Sequence, residues 1–248
     1  MENNLKMIKD LTYNFNGEKI RGKLYLPDNE EKQAIIILSH GLSLDYTLMI
    51  PYAEKLYKHG IASFAYDFRG GGYECHSDGK ISDMTIHTEM DDLNFVIDSL
   101  KEEDFVDEER IYLAGHSQGG LVSSLVAPNR NDIQALFLFA PAYEIPDDMK
   151  EKDNLSPMNV LNLMPEYLGE KYINCAVNID VYEEIKGFKG NVYIFHGVED
   201  KRVPMEYSVK ADKVYENSVV YLYEEGEHRF TDEIKDDVVS IIAEKVLN

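Results

Sequence analysis

Apolar positions recur along this chain with two different periods. Met7-Ile8-Lys9-Asp10-Leu11-Thr12-Tyr13 and Lys19-Ile20-Arg21-Gly22-Lys23-Leu24-Tyr25-Leu26 alternate apolar and polar residues, as in a strand with one buried face. Asn16-Gly17 between them is a hairpin signal, so two antiparallel leading strands are predicted. Further on, unbroken apolar runs at 34–39, 61–66, 110–115, 134–140, 191–196 and 218–223 predict strands covered on both faces, as in a parallel sheet. The segments 48–59, 84–102, 117–127, 204–215 and 231–246 space their apolar residues as helices do. Alternation of strand and helix over the whole length predicts a doubly wound α/β fold with antiparallel N-terminal strands.

One stretch breaks this rhythm. Between Pro141 and Gly190 lie about fifty residues where a short connection and one helix would suffice. The stretch holds Pro146, Pro157 and Pro165, the methionines Met149, Met158 and Met164, and Tyr143, Tyr167, Tyr172 and Tyr182. An insertion after the carboxyl end of a strand overlies the place where open α/β sheets bind ligands. A small helical lid over approximately 142–188 is therefore expected, with Tyr143, Met149, Met164 and Tyr167 as substrate contacts.

Composition narrows the setting. The 248 residues can form one sizeable core, and hydrophobic content of 44% fits a globular domain. The longest apolar runs, such as Ala34-Ile35-Ile36-Ile37-Leu38, are far too short to span a bilayer. Met1-Glu2-Asn3-Asn4-Leu5-Lys6 has no apolar leader, which makes the cytoplasm the default expectation. A formal charge of -21 repels phosphate-rich partners, so neither nucleic acid nor membrane is expected, while association into a homodimer stays open. Cys75 and Cys175 match no metal or redox spacing, and no metal or other cofactor is expected.

The chemistry concentrates at Gly115-His116-Ser117-Gln118-Gly119, which follows the apolar run Ile111-Tyr112-Leu113-Ala114 and precedes a helical segment. Strand, sharp turn and helix are the context of a G-x-S-x-G nucleophile elbow. Its flanking glycines clear room for a serine in a strained backbone conformation. A serine needs a base, and the base needs a group to orient it. In the chain order of such elbows both lie downstream of the serine. His196 ends a buried strand, where a structural role is expected, whereas His228 lies in a loop between the last strand and the last helix and is the expected base. Glu199 and Asp200, after the strand end at Gly197, both remain candidates for the acid. The backbone N–H groups of Gln118 and Leu42 are the expected oxyanion donors, and His40 is expected to bond locally.

Across nearly its whole length the sequence resembles α/β-hydrolases of the serine esterase type, in particular bacterial cinnamoyl/feruloyl esterases and related small esterases with an insertion lid. The residues that carry the resemblance are His40-Gly41, Tyr66-Asp67-Phe68-Arg69-Gly70-Gly71-Gly72, Ser77-Asp78-Gly79-Lys80, Asp83-Met84-Thr85 and Gly115 to Gly120. His196-Gly197-Val198-Glu199-Asp200, Val203-Pro204 and Gly226-Glu227-His228 complete the set. In that family the acid is the Asp of a G-x-x-D-x-x-V-P pattern, which implies Asp200. The resemblance thus implies an α/β-hydrolase fold and a Ser117–His228–Asp200 triad that cleaves a small ester through an acyl-enzyme. Thioester or amide cleavage uses the same triad, and a non-catalytic hydrolase-fold protein is the alternative of another class. A dehalogenase or epoxide hydrolase is excluded, since it needs a carboxylate where Ser117 stands.

Overall fold

A computed structural model describes residues 7–28, 31–150 and 168–248. The leading strands are β1 (Met7–Phe15) and β2 (Glu18–Leu26), paired antiparallel from Met7↔Leu26 to Phe15↔Glu18. Asn16 and Gly17 turn the chain with φ of 54° and 90°, both in the left-handed region that a two-residue hairpin demands. The remaining strands are β3 (Gln33–Ser39), β4 (Ala62–Tyr66), β5 (Val106–His116), β6 (Ile133–Phe139), β7 (Asn191–Gly197) and β8 (Ser218–Tyr223). They form one eight-stranded sheet in the order β1-β2-β4-β3-β5-β6-β7-β8. β2 runs antiparallel to β1 and β4, and every other neighbouring pair is parallel.

The unbroken apolar runs are explained by burial on both faces. Ile35 and Ile37 of β3 point into one core with Leu113, Leu136 and Ile194, whereas Ile36 and Leu38 point into the other with Ala114, Phe137 and Phe195. The first core is closed by α2 (Ile86–Lys101) and α3 (Gln118–Val126), the second by α1 (Ile50–Lys58) and α8 (Asp232–Leu247). Helix α2 starts at a capping box, in which Thr88 N–H donates to Thr85 Oγ1 at 3.1 Å and Thr85 N–H to Thr88 Oγ1 at 2.8 Å. Its Leu93, Val96 and Ile97 are fully buried, and each adds about 1.5–3 kcal/mol by leaving water.

Strand β5 begins four residues before the predicted apolar run. Gln33 pairs with Val106 and the register shifts before Ile35↔Ile111, so the polar segment Asp107–Glu109 is carried at the sheet end. The inserted stretch contributes α4 (Ile145–Lys150), α5 (Glu170–Ala176) and α6 (Val181–Glu184), followed by α7 (Met205–Asp212) after β7. Met158, Met164 and Tyr167 lie outside the described residues. Tyr143 and Met149 are both buried in the core. The Tyr143 hydroxyl meets Ser124 Oγ at 2.7 Å and Tyr215 Oη at 3.3 Å.

The order of the strands locates the functional edge. From β3 the chain turns to β4 on one side and later crosses to β5 on the other, so the carboxyl ends of β3 and β5 flank a topological switch point. Ser39 pairs with Gly115 there, and the ends of β6, β7 and β8 follow in register along the same edge.

Candidate active site

Ser117 stands at that edge, between the end of β5 and the start of α3, with φ 56° and ψ -121°. A positive φ on a residue with a side chain is strained, and the surroundings hold it in place. Its N–H donates to Phe139 O at 2.9 Å, and its carbonyl accepts from Ala142 N–H at 3.0 Å. The glycine requirement is steric: a Cβ on Gly119 would lie 2.4 Å from Ser39 O, and one on Gly115 would lie 2.3 Å from Gly119 O. No larger residue fits without opening the turn.

His228 reaches this serine from the loop between β8 and α8. Its Nε2 lies 3.1 Å from Ser117 Oγ, and its Nδ1 lies 2.7 Å from Asp200 Oδ2. Asp200 also accepts from Arg202 N–H at 2.8 Å and Val203 N–H at 2.9 Å through Oδ1. Burial raises its pKa, but hydrogen bonds from His196 and His228 and the nearby imidazole charge outweigh this and hold the carboxyl well below the carboxylate range. Glu199 is exposed and its backbone N–H donates to Gly226 O at 2.9 Å. The structure therefore brings Ser117, His228 and Asp200 together and leaves Glu199 out.

His196 and His40 are local struts. His196 Nε2 lies 3.0 Å from Val203 O and 3.3 Å from Asp200 Oδ2, so Nε2 carries the proton and Nδ1 accepts from Ser208 Oγ at 2.7 Å. His40 Nδ1 donates to Gly41 O at 2.8 Å while its Nε2 accepts from Phe68 N–H at 3.1 Å. Burial lowers the pKa of this ring. His40, Asp67 and Cys75 gather their ligand atoms within 4.8 Å, but all three are engaged in hydrogen bonds. Asp67 accepts from Tyr46 N–H at 2.6 Å and from His76, and Cys75 Sγ donates to Leu44 O at 3.3 Å. These bonds tie the loop after β3 to the loop after β4.

Gln118 is the first residue of α3, so its N–H has no intrahelical acceptor, and the Leu42 N–H donates to no described residue. Gly41 brings the Leu42 loop close, since an added Cβ would lie 3.1 Å from Ser117 Cβ. A feature that sequence reasoning missed fixes the Gln118 side chain. Its Nε2 donates to Glu89 Oε2 at 2.7 Å, and its Oε1 accepts from Tyr172 of α5. Burial raises the Glu89 carboxyl far above its ordinary range. Glu89 sits on the apolar stripe of its helix, between Ile86 and Leu93, and a carboxyl in that position was the available signal. Ser117 and His228 open on a cleft of about 420 Å³, flanked by Leu42, Leu44, Arg202 and Arg229.

The profile described as "Hydrolase_4: Serine aminopeptidase, S33" matches residues 30–183. The chain belongs to this S33 hydrolase family. A solved structure titled "Ferulic Acid bound to Est1E from Butyrivibrio proteoclasticus" is similar to this hydrolase with TM-score 0.84 and 29% identity, covering 96% of this chain and 100% of that one. The "Quorum-quenching protein AidA" of Acinetobacter baumannii is 26% identical over 164 residues, which is 65% of this chain and 52% of that protein. An uncharacterized 31.7 kDa protein of Escherichia coli is 29% identical over 146 residues, 57% of this chain and 50% of its own length. The chain spans about half the length of these curated relatives. The protein is an α/β hydrolase with the architecture of the Est1E structures. Among the described residues no helix is long and apolar enough to cross a membrane.

Proposed function

We propose that this S33-family hydrolase is a serine carboxylic-ester hydrolase acting through an acyl-enzyme. The observation that carries the reading is the unbroken chain from Ser117 Oγ through the His228 imidazole to Asp200, at 3.1 Å and 2.7 Å, opening on the cleft. His228 Nε2 takes the serine proton as Oγ attacks the ester carbonyl, and returns it to the departing alcohol. Asp200 keeps the Nδ1–H tautomer and stabilises the imidazolium formed in between. The Leu42 and Gln118 N–H groups, with the N-terminus of α3 behind them, stabilise the oxyanion. Water then attacks the acyl-enzyme with His228 again as base, releasing the acid.

The substrate class is a small ester with a short or aromatic acyl group. The likeness to Est1E, whose structure holds ferulic acid, supports the aromatic member of that class. An amide reading on the same triad has its own support in the aminopeptidase description of the family. A hydrolysis panel separates them: p-nitrophenyl esters of increasing acyl length, methyl ferulate, a thioester and an aminoacyl anilide. Ester cleavage at least tenfold above anilide cleavage is the expected outcome, and Ser117→Ala lowers it by about 10⁴-fold or more. A preference for the anilide overturns the ester assignment.

A further inference from the structure

The residue before the nucleophile is tied to the loop that carries the base. His116 Nε2 lies 2.9 Å from the His228 carbonyl oxygen, a contact across 112 positions of sequence. A carbonyl only accepts, so His116 Nε2 carries the proton and donates. The two imidazoles lie against each other with centroids 4.7 Å apart and planes tilted by 56°. His116 is itself buried, and its Nδ1 has no hydrogen-bond partner.

The loop that carries His228 is anchored at both ends. Its root is pinned where Glu199 N–H donates to Gly226 O, and its far end where Thr231 caps α8. Between those anchors Phe230 packs its ring into the core. Among the described residues, the hydrogen bond that the backbone of this span makes to the body of the domain is the one from His116 to His228 itself. The same backbone unit carries the imidazole that must stand within reach of both Ser117 and Asp200.

We propose that His116 is a positioning residue: its Nε2–H fixes the backbone of His228 and thereby the alignment of the base. It touches no reacting atom. The role requires a neutral ring, because a cation at 4.7 Å would oppose the imidazolium that forms on His228. Burial first, and the neighbouring His228 next, hold the His116 pKa down at about 3, so the ring stays a neutral donor over the working range. The proposal rests on the reading of His228 as base.

The test compares His116→Phe, which keeps a ring but removes the donor, with His116→Gln, whose terminal amide restores an N–H near the Nε2 position. Ester kinetics and thermal unfolding are measured beside Ser117→Ala. His116→Phe lowers kcat by about 10–100-fold with little change in KM, as displacements near 1 Å do, while His116→Gln recovers most of the loss. The melting temperature of His116→Phe changes little, since removal of the orphaned buried Nδ1 offsets loss of the bond to the His228 carbonyl. The low-field proton resonance of the His228–Asp200 hydrogen bond broadens in the Phe variant and returns in the Gln variant. If His116→Phe fails to fold, His116→Met against His116→Gln carries the same contrast. Retention of kcat within about threefold in the donorless variant, or equal loss in both variants, overturns the positioning role. Activity surviving in Ser117→Ala would instead overturn the reading of the site.

Discussion

Replacing Glu144 by Gln makes this protein more stable as pH rises, and the structure fixes the sign and the window. Glu144 follows β6, is 7% exposed, and has a buried Oε2 without a partner. Burial is the main cause that pushes its carboxyl up, with Asp148 and Asp200 adding to it against its own backbone amide and Arg202, to about 8 from an ordinary 4.5. Between those two values the folded protein keeps a proton that the unfolded chain has lost, so stability falls as pH climbs through the window. At about 1.36 kcal/mol per pH unit the full effect at pH 8 is about 4 kcal/mol, and about 2 kcal/mol after local relaxation and water entry. Gln has the shape of the protonated acid and does not titrate, so it is free of this loss. Thermal unfolding of both proteins from pH 4.5 to pH 8 is the assay. The variant matches wild type at the acid end and melts higher by about 4–8 °C at the alkaline end. A gap that does not change with pH, or one that narrows on the alkaline side, refutes the buried-acid account of Glu144.

Three shorter expectations accompany it. Asp200→Asn lowers kcat by about 10⁴-fold through loss of the Nδ1–H tautomer, whereas Glu199→Gln stays within a few-fold of wild type; the reverse ranking in ester kinetics contradicts the acid assignment. Thr85→Ala removes the capping box of α2 and lowers the unfolding free energy by about 1 kcal/mol in denaturant titration, with kcat unchanged. Gly119→Ala places a methyl group 2.4 Å from Ser39 O, so both activity and melting temperature fall together; a fully active variant would show that the elbow has room to spare.

What could be read from the sequence was whatever depended on local pattern. The strands were legible because β3 to β7 bury both faces and so exclude polar residues, and the Asn16-Gly17 hairpin because its φ values suit few other residues. The start of β5 was not, since Asp107–Glu109 fall in the register shift between the Gln33↔Val106 and Ile35↔Ile111 pairs and are not buried. Ser117 could be picked out by its turn, and His228 by its loop. Asp200 needed the family pattern, because chemistry alone does not separate it from Glu199 one position earlier. The partners of Tyr143 could not be read, because an aromatic residue in an insertion looks the same in sequence whatever its hydroxyl meets, here Ser124 and Tyr215. The Glu89–Gln118–Tyr172 clamp and the His116–His228 contact join segments far apart in sequence, and only the packed sheet brings their ends together.

The most direct test of the central claim is to trap the covalent intermediate. The protein is mixed with a p-nitrophenyl ester, quenched in acid within the first turnover, digested and analysed by mass spectrometry. The peptide that carries Ser117 gains the mass of the acyl group, and the gain is absent from Ser117→Ala. An unmodified Ser117 peptide during turnover, with hydrolysis persisting in Ser117→Ala, would contradict the account.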